Sequence, residues 1–140
     1  MKSSAAPSAD VLLDALIHAA LRACVGARDL VWATHYDTPE RAAIATTARD
    51  RAVRSVEHLL VYASGHAVIA DAGARRLAGI VYDALAAECR DVAGRRFPDE
   101  PQGHWQRVDA ITRRLRAAWR VERIKNVARS WIPPHRGAKT

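Results

Sequence analysis

The chain has 140 residues, 49% of them hydrophobic, and a formal net charge of +7. This fits one folded domain with a single core and argues against disorder. Aromatics make up only 6% while alanine is abundant, which favours closely packed helices over a β-sandwich. With a pI near 10.2, the composition points to an anionic partner such as RNA, DNA or an anionic surface.

Residues 1–9 are rich in Ser, Ala and Pro and read as a flexible lead-in. They hold one lysine and no apolar stretch followed by a cleavage site, so they do not have the form of a secretory signal. Residues 10–132 carry the helical patterns of the domain. Ser8 or Asp10 is placed to cap a helix running to about Val25, with Gly26 as its C-terminal stop. In that helix Asp14, His18 and Arg22 recur every four residues, whereas Leu12, Leu13, Leu16, Ile17 and Leu21 are apolar. So narrow a polar stripe predicts a helix nearly surrounded by protein, either at the centre of the bundle or covered by another subunit.

Ala27 to Asp37, with Trp32 and Tyr36, reads as a short helical or irregular connector. Thr38-Pro39-Glu40 is a helix start: a capping hydroxyl, a proline in the first turn, then an acid near the positive end of the dipole. The helix that follows is predicted to reach about Ala63. Its inner face is Ala45, Ala48, Ala52, Val56, Leu59, Leu60 and Ala63, and its polar face holds Arg51, Arg54 and His58. Ser64-Gly65 ends or bends it.

A third helix spans about Asp71 to Val92, with Leu77, Ile80, Val81, Ala84, Leu85 and Cys89 as contact positions and Gly94 at its end. Arg95 to Gly103 contains Pro98 and Pro101 and reads as a long loop. The last helix starts near Gln102 and must stop before Pro133-Pro134, leaving residues 133–140 as a mobile tail. Nothing alternates with period two long enough to form a sheet. The expected fold is therefore all-α: a single bundle of four to five helices with a long basic C-terminal helix.

The last helix carries the strongest signal. Arg113, Arg116, Arg120 and Arg123 fall within a wedge of roughly 80° at about 100° per residue. Like charges at these spacings repel, and a polyanion would relieve the repulsion. The four span about 15 Å of helix, long enough to follow several phosphates. Guanidinium groups make forked contacts to phosphate oxygens and stay charged at any working pH. Such contacts set affinity and register rather than sequence preference. Arg51 and Arg54 would extend this nucleic-acid-binding surface if their helix lay alongside. The plain reading is a solvated face with Asp109 and Glu122 as its counter-charges.

The same helix has a second apolar side. Trp105, Val108, Ile111, Leu115, Ala118 and Trp119 share one face, while Val121, Ile124, Val127, Ala128 and Trp131 lie about 180° round. One straight helix cannot bury both sets in a single core. Either it bends near Arg120 to Glu122, or its C-terminal half docks on a neighbouring chain through Ile124, Val127 and Trp131.

Other chemistry finds little support. Cys24 and Cys89 lack metal-ligand spacing and sit in apolar helical stretches where a buried thiol in a reducing cytoplasm is expected, although a Cys24–Cys89 bridge stays open. The six histidines form no paired metal motif, and neither a glycine-rich phosphate loop nor a serine-nucleophile elbow is present. No metal and no cofactor is implied. Ser64-Gly65-His66 is the nearest approach to a helix-turn-helix turn, but the helix before it is too long. His58 to Ala70, the longest weakly polar run, is too short to span a bilayer.

Two family resemblances follow from these residues. Arg28 and His35, with Asp29 next to the arginine, resemble the paired Arg and His of HEPN ribonucleases, small all-helical dimers. That resemblance would make Arg28 and His35 a catalytic pair. Here, however, only one helix precedes the motif, whereas the family tends to place it on a late helix. The overall pattern, from about Asp10 to Trp131, resembles the small subunits of CRISPR ribonucleoprotein effector complexes, which are compact, basic and all-helical. It rests on the alanine-rich helices, the Arg113–Arg116–Arg120–Arg123 row and the leftover apolar surface. It implies a cytoplasmic, non-catalytic antiviral-defence protein that holds the backbone of a single strand or guide–target duplex beside other subunits, copies of itself among them, and away from membranes. A helical scaffold that binds only a protein partner is the remaining alternative.

Overall fold

The computed structural model describes residues 7–93 and 101–131. The described residues form four helices: α1 (Ala9–His35), α2 (Pro39–Gly65), α3 (Asp71–Ala93) and α4 (Pro101–Ser130). They contain no strand. The expected tail lies outside the described residues, as does most of the expected lead-in, and helix begins at Ala9.

Ser8 caps α1: its hydroxyl accepts the Val11 N–H at 3.1 Å. The helix does not stop at Gly26, and the expected connector from Ala27 belongs to it as far as His35. Gly26 instead marks the crossing with α2. A Cβ there would lie 2.9 Å from the backbone N and Cα of Arg49, so only glycine permits this approach. At the tight turn that follows, Asp37 adopts φ 53°, a conformation short polar side chains tolerate. Thr38 does not cap α2 with its side chain. Its hydroxyl donates back to Ala33 O at 3.1 Å, and Pro39 and Glu40 start the helix as expected.

Consecutive helices run antiparallel. Gly26 faces Arg49, Tyr82 donates its hydroxyl to Glu57, and Arg76 binds Glu122. α1 and α3 each pack against all three other helices, α1 most extensively along α2, while α2 and α4 make no close approach. The core gathers Leu12, Leu16, Ala20, Val56, Leu60, Leu77, Val81, Ile111, Leu115 and Trp119. Burying each large aliphatic side chain contributes about 1.5–3 kcal/mol.

Three expected burial positions differ. Ala48 and Cys89 are exposed, and both cysteines are free. Trp105 is 61% exposed, on the edge of the α4 core face rather than within it. α4 is one uninterrupted helix, and Val121, Ile124, Val127 and Trp131 all remain exposed, so no bend buries the second apolar set. No helix among the described residues is long and apolar enough to cross a membrane.

Candidate nucleic-acid interface

α4 is held by charge as well as by packing. At its start His104 is 3% exposed and its Nδ1 lies 3.2 and 3.3 Å from the two carboxylate oxygens of Glu88 on α3. Arg107 donates to the same carboxylate from Nε and Nη2, at 3.2 and 3.1 Å. Burial raises the Glu88 pKa, but the hydrogen bonds and charges of His104 and Arg107 outweigh it and hold the carboxyl below its usual range. Further along, Glu122 accepts from Arg76 Nε and Nη2 at 2.7 and 2.9 Å, which holds its pKa low despite partial desolvation. α4 therefore presents its outer face from a fixed position.

That face carries the arginine row. Arg113, Arg116 and Arg120 are exposed, and among the described residues none of them is in an ion pair. The expected counter-charges do not neutralise them. Glu122 turns inward to Arg76 and Lys125, and Asp109 is exposed and in no ion pair among the described residues. Arg116, Arg120 and Arg123 come together with Ser8, Ala9, Asp10, Leu13 and Trp119 around an open cavity of about 520 Å³ between α4 and the start of α1. Arg123 is half-buried, and its Nη1 donates to Val68 O at 2.9 Å in the α2–α3 turn. It is thus part structural anchor and part rim of the cavity.

Arg51 and Arg54 do not extend the row. They are exposed on α2, which is not a neighbour of α4. Arg51 instead lines a groove between α1 and α2 with His18, Arg22, Val25, Ala48 and Ser55.

Past the row on α4, Ile124, Val127 and Trp131 are exposed and form an apolar end. Arg28 and His35 lie two turns apart on α1, roughly 10 Å along its axis. Arg28 pairs with Asp29 at 3.6 Å, and His35 packs edge-on to Tyr36. The structure therefore brings Arg116, Arg120 and Arg123 together, and sets Arg28 and His35 two turns apart on one face of α1.

Glu88, His104 and Glu122 escaped the sequence reading as buried groups. Their spacing carried a signal. Glu88 follows Val81 by two turns and Glu122 follows Leu115 by two turns, so each lies on the core face of its helix. Cys24 is also buried, and burial, followed by the nearby Glu88 charge, pushes its thiol up to about 12. It stays protonated at neutral pH and is no nucleophile. No group of His, Cys, Asp or Glu among the described residues is arranged to hold a metal ion. In comparison with known proteins, no family model, curated protein or solved structure matches the chain.

Proposed function

We propose that this protein binds the sugar-phosphate backbone of a nucleic acid, without catalysis and largely without sequence preference, as one subunit of a larger ribonucleoprotein assembly of the CRISPR-effector kind. The observation that carries the reading is the set of guanidiniums of Arg113, Arg116 and Arg120, in no ion pair among the described residues, on one face of a firmly held helix, with Arg123 at its edge. Keeping these charges together costs stability unless a polyanion joins them. Phosphate oxygens match their forked donors. The apolar end at Ile124, Val127 and Trp131 is the face for a neighbouring protein subunit.

Salt dependence tests the reading. If four arginines meet phosphates of one strand, log affinity falls against log salt with a slope near −3. Replacing Arg116 and Arg120 together with Ala should reduce that slope by roughly 1.4. An unchanged slope removes the row as the contact surface.

A further inference from the structure

Trp105 is 61% exposed, although His104 beside it and Val108 one turn further on are buried. An indole left in water forfeits a large burial gain, so its position calls for a reason. Its helical position supplies one. Arg116 follows Trp105 by eleven residues and Arg123 by eighteen, which places all three within about 20° of one line along α4. Along that line Trp105 sits about 16 Å before Arg116. The indole therefore stands at the N-terminal end of the arginine face, in register with it.

The indole is also held in place. His104, the residue before it, is buried against Glu88 and meets the Trp105 ring edge-on at 5.2 Å. Arg107, two residues later, is bonded to the same carboxylate. Both neighbours fix the first turns of α4, so presenting the ring costs little ordering entropy on binding. A rigid, exposed aromatic face next to phosphate-binding arginines is the arrangement that stacks an unpaired base. A duplex cannot use it, because its base faces are already stacked on one another.

We infer that Trp105 is a base-stacking platform and that the strand held along α4 is single. This rests on the proposed phosphate contacts of the row, and its test separates the two. Three probes are titrated into the full-length protein: a single-stranded homopolymer oligonucleotide, the same backbone lacking bases, and a duplex of equal length. The base-bearing single strand should bind about tenfold tighter than the abasic one and quench tryptophan emission. Trp105→Ala should remove that advantage and the quenching while leaving abasic binding unchanged, and Trp105→Phe should retain most of both. Circular dichroism checks that each variant keeps its helix content.

Equal binding of base-bearing and abasic strands by the unaltered protein overturns the inference. So does a preference of the unaltered protein for the duplex, or a Trp105→Ala variant that binds the single strand normally or weakens both strands alike. In those cases, a salt slope still reduced by the Arg116→Ala/Arg120→Ala pair would leave the phosphate reading standing. Loss of that dependence as well would end both.

Discussion

Gly73 on α3 and the Glu122 carboxylate on α4 share one site. A Cβ on Gly73 would lie 2.5 Å from Glu122 Oε1, 2.9 Å from Cδ and 3.1 Å from Cγ. The missing side chain of one residue is thus the space that lets the other turn inward, 4% exposed, and meet Arg76. With Glu122 engaged there, the arginine row loses the carboxylate that its own helix could have offered.

This relationship is measurable as coupling. Gly73→Ala should destabilise the protein by about 1–3 kcal/mol, because Glu122 must leave its site and its pair with Arg76 is lost. In a Glu122→Ala background the new methyl meets no carboxylate. There the same change should be near neutral, or gain up to about 1 kcal/mol from helix propensity. Urea unfolding of the four proteins gives the interaction energy. Additive effects would show that the two positions do not compete.

The helices were legible because apolar residues recur at helical spacing in each of them, and the row was legible for the same reason. What escaped depends on neighbours that a single helix does not reveal. Gly26 has the sequence context of a stop, but its role is set by the Arg49 backbone on another helix. The residues after it read as a connector, yet they continue α1 and bury Ala27 and Ala33. Glu88 and His104 are far apart in sequence and each alone would be costly to bury, so only their pairing explains the positions. Trp105 seemed a core residue because it sits one turn before Val108. The core face ends between them, which a pattern of apolar residues cannot mark.

Ala67, in the α2–α3 turn, adopts φ 58°. A left-handed conformation costs a residue with a Cβ about 1–2 kcal/mol. The turn persists because it is tied down: its carbonyl accepts from Asn126 Nδ2 at 2.7 Å, and the next carbonyl, of Val68, accepts from Arg123. Ala67→Gly removes the steric cost but adds unfolded-state entropy. The net expectation is a gain of about 0.5–1 kcal/mol, visible as a melting temperature raised by a few degrees. A lower melting temperature would reject this account of the turn.

Acid should weaken the fold through Glu88 and Glu122. Both carboxyls are held below their ordinary range in the folded protein, and in the unfolded chain they return to about 4.3. The unfolded state therefore binds more protons over the interval between the two values, and stability rises with pH there. Their contribution is fully present above the unfolded value and is lost as pH falls through the folded one. Urea midpoints taken from neutral pH downward should decline across that acid range. Glu88→Gln together with Glu122→Gln should flatten part of the decline, from a lower starting stability; a decline of unchanged depth would assign the acid sensitivity to other groups.

Arg120 and Arg123 are neighbours on the row but should respond differently to removal. Arg120 is exposed and has no ion pair among the described residues, so Arg120→Ala should leave stability within about 0.5 kcal/mol of the starting protein. Arg123 donates to Val68 O at 2.9 Å, a half-buried contact that ties α4 to the α2–α3 turn. Its loss should cost about 1 kcal/mol or somewhat more, since the donor is charged. Binding should respond the other way round. Arg123 has one nitrogen committed to the turn, so its removal should reduce the salt slope less than removal of Arg120 does. Denaturant unfolding and salt titration of the two single variants check both halves. Equal stability losses would mean that the Val68 contact does not anchor α4, and equal slope changes would mean that Arg123 meets phosphate as freely as the rest of the row.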